Sequence, residues 1–347
     1  MTKKFDAVVM IGRFAPAHNA HVEMLKRAGA LANKVIIIRG SAGQPRTFKN
    51  PWIDREIAVM LQSAVADISK ENSAEYVIEQ VRDYLYNDTA WAAVVQAAAY
   101  KHIGDFDSVG IIGHAKDASS YYLKMFPQWK LIEQPLIEPL NASQIRELYF
   151  SPTICNMNWF TGVLPESTLN YLRWFKDSPE YEQVVKEKEF IETYKKQFEH
   201  LAYAPTFVTA DAVVVQSGHV LLVKRGAEPG RGLWAFPGGF LNAKTDKSLL
   251  DTALRELKEE TKIDVPDKVL RGNIKTSKVF DAIGRSARGR TITHAYFITL
   301  QDGEWNLPKV KGADDALEAK WIPLSQVKSE EMFEDHYEIL SLCFNTI

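Results

Sequence analysis

The sequence is poor in cysteine and has no surplus of positive charge. Its 347 residues include two cysteines, Cys155 and Cys343, and 42 Lys and Arg stand against 44 Asp and Glu. Neither cysteine has a metal-type spacing to another ligand, so we expect no disulfide framework, no zinc site and a reducing, cytoplasmic location. The net charge of −2 argues against a general nucleic-acid-binding protein.

Long hydrophobic runs are also missing. No apolar stretch approaches the roughly 20 residues that span a bilayer. The apolar run near the N-terminus is too short for a signal peptide. We therefore expect no membrane partner and no nucleic-acid partner, and the sequence leaves a homo-oligomer open. The chain is long enough for two domains, and its 46% hydrophobic and 25% charged residues are typical of globular proteins.

The first half of the chain alternates predicted strands with predicted helices. This alternation predicts an α/β fold with a parallel sheet, helices on both faces and ligands at the carboxyl ends of the strands. The predicted strands are Phe5–Ile11, Lys34–Arg39, Glu75–Val81 and Ser108–Ile112. The predicted helices are Ala20–Ala32, Trp52–Ala66, Thr89–Tyr100 and one that starts at Tyr121.

The second half is richer in strands and predicts a mixed α/β sandwich. A charged helix over Pro179–Leu201 is expected to connect the halves, which gives predicted domains at 1–180 and 205–347 with a connecting helix at 181–204. Two strands around a Ser-Gly turn predict a hairpin. The predicted strands are Thr206–Gln216, His219–Lys224, Lys275–Phe280 and Thr291–Leu300. The predicted helices are Ser248–Thr261 and a last one at Leu324–Val327 or beyond.

The segment from Gly12 to His21 predicts a triphosphate-binding turn at the end of the first strand. Gly12 permits a tight turn and a close approach of the backbone to a ligand. His18 and His21 lie three residues apart at a helix start, where free N–H groups and the helix dipole favour phosphate. Two imidazoles there can stabilise charge that develops on phosphorus. The alternative is a capped helix with two surface histidines, which the full order strand–Gly–Phe–Pro–His–His disfavours.

This turn resembles the HxGH motif of the nucleotidylyltransferase superfamily, with Ala20 where the family usually has Gly. The segment Asn141–Arg146 resembles the ISSTxxR segment of the same family. A plain N-capped helix is the alternative for that segment. The resemblance implies a Rossmann-like domain that transfers a nucleotide from a triphosphate. It assigns catalysis to His18, His21 and Arg146, and ATP binding to Gly12, Arg13, Phe14, Asn141 and Ser143.

A further set of residues resembles the archaeal-like nicotinamide mononucleotide (NMN) adenylyltransferases. In that family an aromatic ring at the position of Trp91 stacks on nicotinamide, which is a cation–π contact. A core aromatic and an ordinary polar loop at 113–120 are the alternatives, and pantetheine-phosphate or cytidylyl transfer stays open. The resemblance assigns ATP and NMN binding to Ser41, Arg46, Asn50, Trp52, Arg55, Asp83, Asn87, Trp91, Gly113, Lys116 and Asp117.

A second candidate site lies on the helix that follows Gly238-Gly239. Glu256, Glu259 and Glu260 stand at i, i+3 and i+4, so their carboxylates are expected to converge on one helical face. Their mutual repulsion is relieved by hard divalent cations, Mg²⁺ or Mn²⁺. A solvated acidic helix face is the alternative.

The helix resembles the Nudix box, Gx5Ex7REUxEExGU, and the half-domain resembles Nudix hydrolases. The resemblance assigns metal binding and catalysis to the three glutamates and gives Arg255 the task of orienting one of them. Three departures are visible. The spacing from Gly239 to Arg255 is two residues longer than the box, Lys247 stands eight residues before Arg255 where the box has Glu, and Lys262 replaces the late Gly.

The downstream segments resemble ADP-ribose-type Nudix domains, which implies hydrolysis of ADP-ribose to AMP and ribose 5-phosphate. A basic hairpin loop is the alternative for the arginine-rich segment, and a non-catalytic ADP-ribose sensor is the alternative for the domain. The residues assigned to ADP-ribose are Gly238, Gly239, Phe240, Asp281, Arg288 and Arg290. The order of the two halves resembles the bacterial bifunctional NMN adenylyltransferase/Nudix hydrolase family, which implies ATP, NMN, NAD and ADP-ribose as ligands.

Overall fold

The computed structural model describes residues 3–104, 108–114, 118–135, 141–301 and 306–344. The chain divides into two compact units, residues 1–185 (unit 1) and 186–347 (unit 2). Across these described ranges, no helix is long and apolar enough to cross a membrane. The predicted domain boundaries and the predicted connecting helix at 181–204 stay predictions, although a helix does run through Pro179–Lys196.

Unit 1 is built on a five-stranded sheet in which every pairing is parallel, as predicted. The strand order is β3-β2-β1-β4-β5. The strands are β1 (Phe5–Gly12), β2 (Ala32–Arg39), β3 (Glu75–Gln80), β4 (Val109–Gly113) and β5 (Lys130–Glu133). The helices are α1 (Asn19–Leu31), α2 (Asp54–Ile68), α3 (Asp88–Ile103), α4 (Ala142–Tyr149) and α5 (Glu166–Phe175), and α6 (Pro179–Lys196) begins in unit 1 and ends in unit 2.

Helices cover both faces of this sheet, because β1 is apolar on both sides. Val8 and Met10 join a buried cluster with residues of α1, α2, α4 and α5. Ala7, Val9 and Ile11 point the other way and join a cluster with α3. Successive side chains of a strand alternate between its faces, so a continuous apolar run is what a doubly covered strand requires. The prediction of helices on both faces is confirmed.

Most boundaries in unit 1 differ from the predictions by one to three residues, and two of the predicted helices differ for local reasons. The helix predicted from Trp52 begins at Asp54, because Ile53 has an extended backbone and its N–H donates to the carboxylate of Glu56 at 2.8 Å. The helix predicted from Tyr121 is instead a 3₁₀ segment at Ala118–Lys124. Strand β5 and helix α5 were not predicted.

Unit 2 contains a mixed seven-stranded sheet, as predicted. The order is β10-β11-β6-β7-β12, with β8 on β7 and β9 on β6. The β6–β11 pair is parallel and the other pairs are antiparallel. The strands are β6 (Thr206–Gln216), β7 (His219–Arg225), β8 (Trp234–Ala235), β9 (Gly238–Phe240), β10 (Ile274–Phe280), β11 (Arg290–Thr299) and β12 (Ala316–Pro323). The helices are α7 (Leu249–Thr261), α8 (Asp267–Gly272) and α9 (His336–Phe344).

The β6–β7 hairpin forms as predicted, because Ser217 and Gly218 both adopt positive φ and close a two-residue turn. Helix α7 packs its apolar residues against β6 in a buried cluster. The last helix was predicted at Leu324–Val327 or beyond, and the structure has it beyond that segment. A single 3₁₀ turn, Leu324–Gln326, ends there because Val327 is extended, and the last helix is α9.

Candidate functional sites

The predicted triphosphate turn joins the end of β1 to the start of α1. Helix α1 begins after His18, and Ala20 lies in its first turn, so the helix forms without the usual Gly. The rings of His18 and His21 lie with centroids 3.8 Å apart. The backbone N–H of His18 donates to Nδ1 of His21 at 3.3 Å. That contact leaves Nε2 of a neutral His21 as a hydrogen-bond donor.

Burial controls the charge of both imidazoles. His18 is 7% exposed, and burial lowers its pKa to about 4. The pKa of His21 is held well below its usual value by burial and by the neighbouring His18. Within the described part of the chain, Nδ1 of His18 is buried without a hydrogen-bond partner. Both neutral imidazoles therefore have a ring nitrogen that can form a hydrogen bond with a ligand.

Arg146 connects the turn to α4. Its Nη1 donates to the carbonyl of Ala15 at 2.6 Å, and its Nη2 donates to the Ser143 hydroxyl at 3.0 Å. Burial, together with the charge of Arg13, lowers the pKa of Arg146 to about 10. Asn141 caps α4, since its side-chain oxygen accepts from the backbone N–H groups of Ser143 and Gln144. The structure thus brings the two predicted phosphate-binding segments together.

Arg13 adds a second, half-buried cation beside the turn. Its Nη2 donates to the carbonyl of Lys49 at 3.0 Å and to the side chain of Asn50. Burial is the main cause that lowers the pKa of Arg13, and the charge of Arg39 adds to it. The Nε atoms of Arg13 and Arg39 are buried, and neither has a partner among the described residues. Crowded arginines whose donors are not all used are typical of a site that binds a polyanion.

The other predicted ligand residues of unit 1 follow the carboxyl ends of β2 and β3. Ser41 has a φ of +56°, and its N–H donates to Asp83 at 3.1 Å. Asn87 caps α3 by accepting from the N–H of Ala90 at 2.9 Å. Half-buried Trp91 in the first turn of α3 packs at 5.9 Å from the ring of Phe126. Trp91 is therefore fixed by packing and keeps part of its ring exposed.

Two predicted ligand residues serve other contacts. Trp52 is 1% exposed and packs among Tyr149, Phe150 and Phe175, so its ring is enclosed by core aromatics. Arg46 forms a two-pronged ion pair with Glu56. The side chains of Trp52 and Arg46 are thus engaged in packing and in an ion pair, and their binding roles stay predictions.

Three further predicted residues of unit 1 stand apart from these contacts. Arg55 is exposed on α2. Gly113 ends β4 beneath Leu123, where a Cβ would come within 2.5 Å of that side chain. Lys116 and Asp117 lie outside the described residues.

In unit 2, Arg255 gathers the carboxylates of α7. Its Nη1 donates to Glu256 and to Glu259, at 2.8 Å each. Glu260 turns away and accepts from the N–H of Gly238 at 3.0 Å. Arg255 therefore holds two of the three predicted metal ligands and the backbone of β9 holds the third, and the role of all three as metal ligands stays a prediction. Among the described residues, no group of three or more His, Cys, Asp and Glu is arranged to hold a metal ion.

The sequence analysis missed Asp246. Its carboxylate accepts two bonds from Arg255, from Nε and Nη2, each at 2.9 Å. The hydroxyl of Thr252 and the N–H of Asn242 also donate to it, at 2.9 and 3.0 Å. Arg255 holds the pKa of Asp246 well below its usual range. The Nudix box has Glu eight residues before the Arg, and this chain has Lys247 there. Asp246, one residue earlier, supplies the carboxylate that contacts Arg255 instead.

The donor set of α7 fits a hard divalent cation. Burial raises the pKa of Glu260 to about 8, and the charge of Glu256 contributes to the rise. A Cβ on Gly239 would lie 2.5 Å from Oε1 of Glu256, so glycine is needed where β9 meets the helix. Carboxylate oxygens that repel one another in a buried site are the ligands that Mg²⁺ and Mn²⁺ prefer. Glu256, Glu259 and Glu260 would hold such an ion.

Of the predicted ADP-ribose residues, Gly238, Gly239 and Phe240 form β9, Asp281 and Arg288 lie in the loop between β10 and β11, and Arg290 begins β11. The guanidinium of Arg288 lies 4.9 Å from the ring centroid of Phe240, next to Gly239. Arg290 pairs with Asp281, with the side-chain atoms 3.8 Å apart. The loop therefore brings Arg288 to the glycine turn, whereas Arg290 and Asp281 are engaged with each other.

Comparisons with known proteins match both halves of the chain. The Cytidylyltransferase-like family matches residues 9–148, and the NUDIX domain family matches 205–343. The nicotinamide/nicotinic acid mononucleotide adenylyltransferase of Acinetobacter baylyi is 38% identical over 182 residues, which are 52% of this chain and 92% of that protein. The ADP-ribose pyrophosphatase of Methanocaldococcus jannaschii is 29% identical over 138 residues, which are 40% of this chain and 73% of that protein.

The chain is similar over almost its entire length to a solved two-domain structure. It is a bifunctional NMN adenylyltransferase/ADP ribose pyrophosphatase from Francisella tularensis, in complex with AMP and a manganese ion. The match covers 99% of both chains, with a TM-score of 0.87 and 32% sequence identity. Both units and their order are therefore those of that structure.

Proposed function

This chain belongs to the family of bifunctional NMN adenylyltransferase/ADP-ribose pyrophosphatases, and we propose that unit 1 makes NAD while unit 2 hydrolyses ADP-ribose. The observation that carries the first activity is the buried pair of His18 and His21 beside Arg146. The observation that carries the second is the carboxylate helix gathered by Arg255.

In unit 1, the 5′-phosphate oxygen of NMN attacks the α-phosphorus of ATP, and the bond to the β-phosphate oxygen breaks to release pyrophosphate. No protein nucleophile is needed, so positioning and charge stabilisation supply the catalysis. The neutral imidazoles of His18 and His21 donate hydrogen bonds to phosphate oxygens. Arg146 and Arg13 neutralise the triphosphate, which enters as its Mg²⁺ complex.

The side chains that follow β2 and β3 support NMN as the second substrate. Half-buried Trp91 offers an aromatic face to the cationic nicotinamide ring. Ser41, Asp83 and Asn87 lie in the same region and offer hydrogen-bonding groups to ribose and phosphate. Lys116 and Asp117 stay predicted ligands of the same site. Arg55 on the exposed face of α2 stays a predicted phosphate contact.

In unit 2, water attacks the diphosphate of ADP-ribose and gives AMP and ribose 5-phosphate. A bound Mg²⁺ or Mn²⁺ supplies Lewis-acid polarisation of the diphosphate and an activated water. Glu256, Glu259 and Glu260 would hold the ion, Arg255, itself held by Asp246, orients Glu256 and Glu259, and Arg288 binds phosphate beside Phe240. The retained carboxylates favour hydrolysis over a non-catalytic sensor. We place the reactions in the cytoplasm, without nucleic acid or membrane.

The first test is synthesis by the purified full-length chain with NMN, ATP and Mg²⁺. We expect NAD and pyrophosphate in equal amounts. Parallel reactions contain nicotinate mononucleotide, phosphopantetheine or CTP in place of the matching substrate. Absence of NAD would refute the main proposal, and faster use of phosphopantetheine would reassign the substrate.

The second test is hydrolysis of ADP-ribose by the same preparation. Reactions with Mn²⁺, with Mg²⁺ and with a chelator are run side by side, and AMP is quantified. We expect AMP with either cation and none with the chelator. Tight binding of ADP-ribose without AMP would favour the sensor alternative.

A further inference from the structure

Three consecutive residues, Glu334, Asp335 and His336, lie where the chain enters α9 and contact two separate parts of unit 2. We propose that they form a positioning hub. The hub fixes the position of the loop that carries Arg288 relative to the glycine turn before α7. The hub itself touches neither substrate nor metal ion. This inference rests on the proposed hydrolysis, since it names residues that act through Arg288 and Glu260.

Asp335 anchors the loop through Arg285. The Nε and Nη2 atoms of Arg285 donate to the two carboxylate oxygens at 2.9 and 2.8 Å. Both side chains are 3% exposed, so the pair is almost completely removed from solvent. A two-pronged Arg–carboxylate pair fixes orientation as well as distance. Arg285 therefore anchors the loop to Asp335, and Arg288, three residues later, takes no part in that ion pair.

Glu334 holds the same loop closer to its ligand-binding arginine. Its carboxylate accepts from the backbone N–H of Ala287 at 3.0 Å. Glu334 has a φ of +45°, a backbone conformation that is rare for a residue with a Cβ. The charge of Arg288 acts on the Glu334 carboxylate and opposes the rise in its pKa caused by burial. The strained backbone at Glu334 thus directs its carboxylate to the N–H of Ala287, the residue just before Arg288.

His336 connects the hub to the carboxylate helix. The backbone N–H of Phe236 donates to Nδ1 of His336 at 2.9 Å, and the two rings stack with centroids 5.0 Å apart. Burial lowers the pKa of His336, so a neutral ring keeps Nδ1 as an acceptor. Two residues after Phe236, the N–H of Gly238 donates to Glu260 at 3.0 Å. His336 is therefore linked to Glu260 by two hydrogen bonds and by the backbone between Phe236 and Gly238.

The hub has two arms with different expected effects. Loosening the Asp335 and Glu334 arm frees the loop, so the affinity for ADP-ribose falls while the carboxylates stay in place. Loosening the His336 arm moves the glycine turn, so metal affinity and turnover fall. A residue with a general structural role would instead lower both together.

The main test compares Glu334→Ala with Glu334→Gln in the full-length chain. Glutamine keeps an oxygen acceptor for the N–H of Ala287, whereas alanine removes it. For Glu334→Ala we expect the KM for ADP-ribose to rise about tenfold, with kcat within about threefold and unchanged binding of Mn²⁺ alone in calorimetry. Glu334→Gln should restore most of the KM. Equal KM in both variants, or a loss confined to kcat, would overturn the proposal.

Asp335→Asn and His336→Leu then separate the arms. We expect Asp335→Asn to raise KM, and His336→Leu to weaken Mn²⁺ binding about tenfold and to lower kcat. His336→Asn keeps an acceptor near Nδ1 and should recover metal binding. NAD synthesis by unit 1 should be unchanged in all variants. If Asp335→Asn unfolds unit 2, the Glu334 pair still decides.

Amide hydrogen exchange without any ligand keeps this inference distinct from the proposed activity. We expect faster exchange at Ala287 in Glu334→Ala and at Phe236 in His336→Leu, each without acceleration at the other position. An inactive wild-type chain would refute the hydrolysis proposal, and the exchange pattern would still test the hub. Unchanged exchange at both positions would refute the hub even if the wild-type chain hydrolyses ADP-ribose.

Discussion

At the scale of single residues, Asp246 shows how a motif can be broken in sequence and complete in space. The sequence places Lys247 where the motif requires Glu, and the spacing to Arg255 is too long by two residues. The extra residues let the chain fold back, so that Asp246 meets Arg255 with both oxygens. The position of a carboxylate around a turn depends on backbone geometry, which spacing alone does not give.

Removing the charge of Asp246 should therefore lower hydrolysis. For Asp246→Asn we expect kcat for ADP-ribose to fall about tenfold or more, because Arg255 is then oriented by Glu256 and Glu259 alone. The matched control is Asp251→Asn on the same helix, which loses a pair with Arg271 and should leave hydrolysis unchanged. Equal activity in the two variants would contradict the role of Asp246.

The buried histidines predict a pH dependence of stability. The pKa of His18 is about 4 in the folded chain, and a free histidine titrates near 6.5. The unfolded chain therefore binds more protons between these pH values. The contribution of His18 to the free energy of unfolding is complete above pH 6.5 and is lost as the pH falls toward 4. Its size is on the order of 3 kcal/mol.

The measurement is thermal unfolding of the wild-type chain and of His18→Gln between pH 7.5 and 4.5. The wild-type Tm should fall more steeply with acidification than that of the variant, because glutamine does not titrate. Parallel pH profiles would show that His18 is not held neutral by folding.

At the scale of elements, the end of α7 carries a local cost. Lys262 caps this helix in the left-handed conformation, with φ +46° and ψ +33°, and its N–H donates to the carbonyl of Lys258 at 3.0 Å. Glycine adopts this conformation without the clash of a Cβ, which explains why the Nudix box has Gly there. The chain tolerates lysine because the capping bond still forms.

Replacing Lys262 with glycine should stabilise unit 2 by about 1 kcal/mol. The same substitution at Lys258, inside α7, should destabilise it by about 1 kcal/mol, since glycine is unfavourable in a helix interior. The measurement is denaturant unfolding of both variants, monitored by a signal from unit 2. The free energy of unfolding should rise in one variant and fall in the other. Destabilisation by Lys262→Gly would show that the lysine side chain makes a contribution larger than its strain.

At the scale of the whole molecule, the two candidate sites belong to different compact units. His18→Ala should lower NAD synthesis at least a hundredfold, because a donor to the reacting phosphate is lost. The same variant should leave ADP-ribose hydrolysis within about twofold, since hydrolysis uses no group of unit 1. Both rates are measured on one preparation.

Glu259→Gln should give the reverse pattern, with hydrolysis lost and NAD synthesis retained. Glu259 is bonded to Arg255 on α7 and takes no part in unit 1. Glu192→Gln, at an exposed position of α6, is the matched control and should leave both rates unchanged. Loss of both activities in either site variant would show that the two sites are not independent.

The sequence by itself determined the parallel and mixed sheets, the hairpin and the two segments predicted to bind phosphate in unit 1. Those features follow from local patterns: apolar runs, turn residues, and glycine and histidine at a strand end. The tertiary structure alone decided which of the candidate side chains are buried in the core or paired with another residue. It buried Trp52, paired Arg46 with Glu56, and replaced the missing acidic group with Asp246. Such outcomes depend on which distant side chains compete for the same space or charge, and residue order does not contain that information.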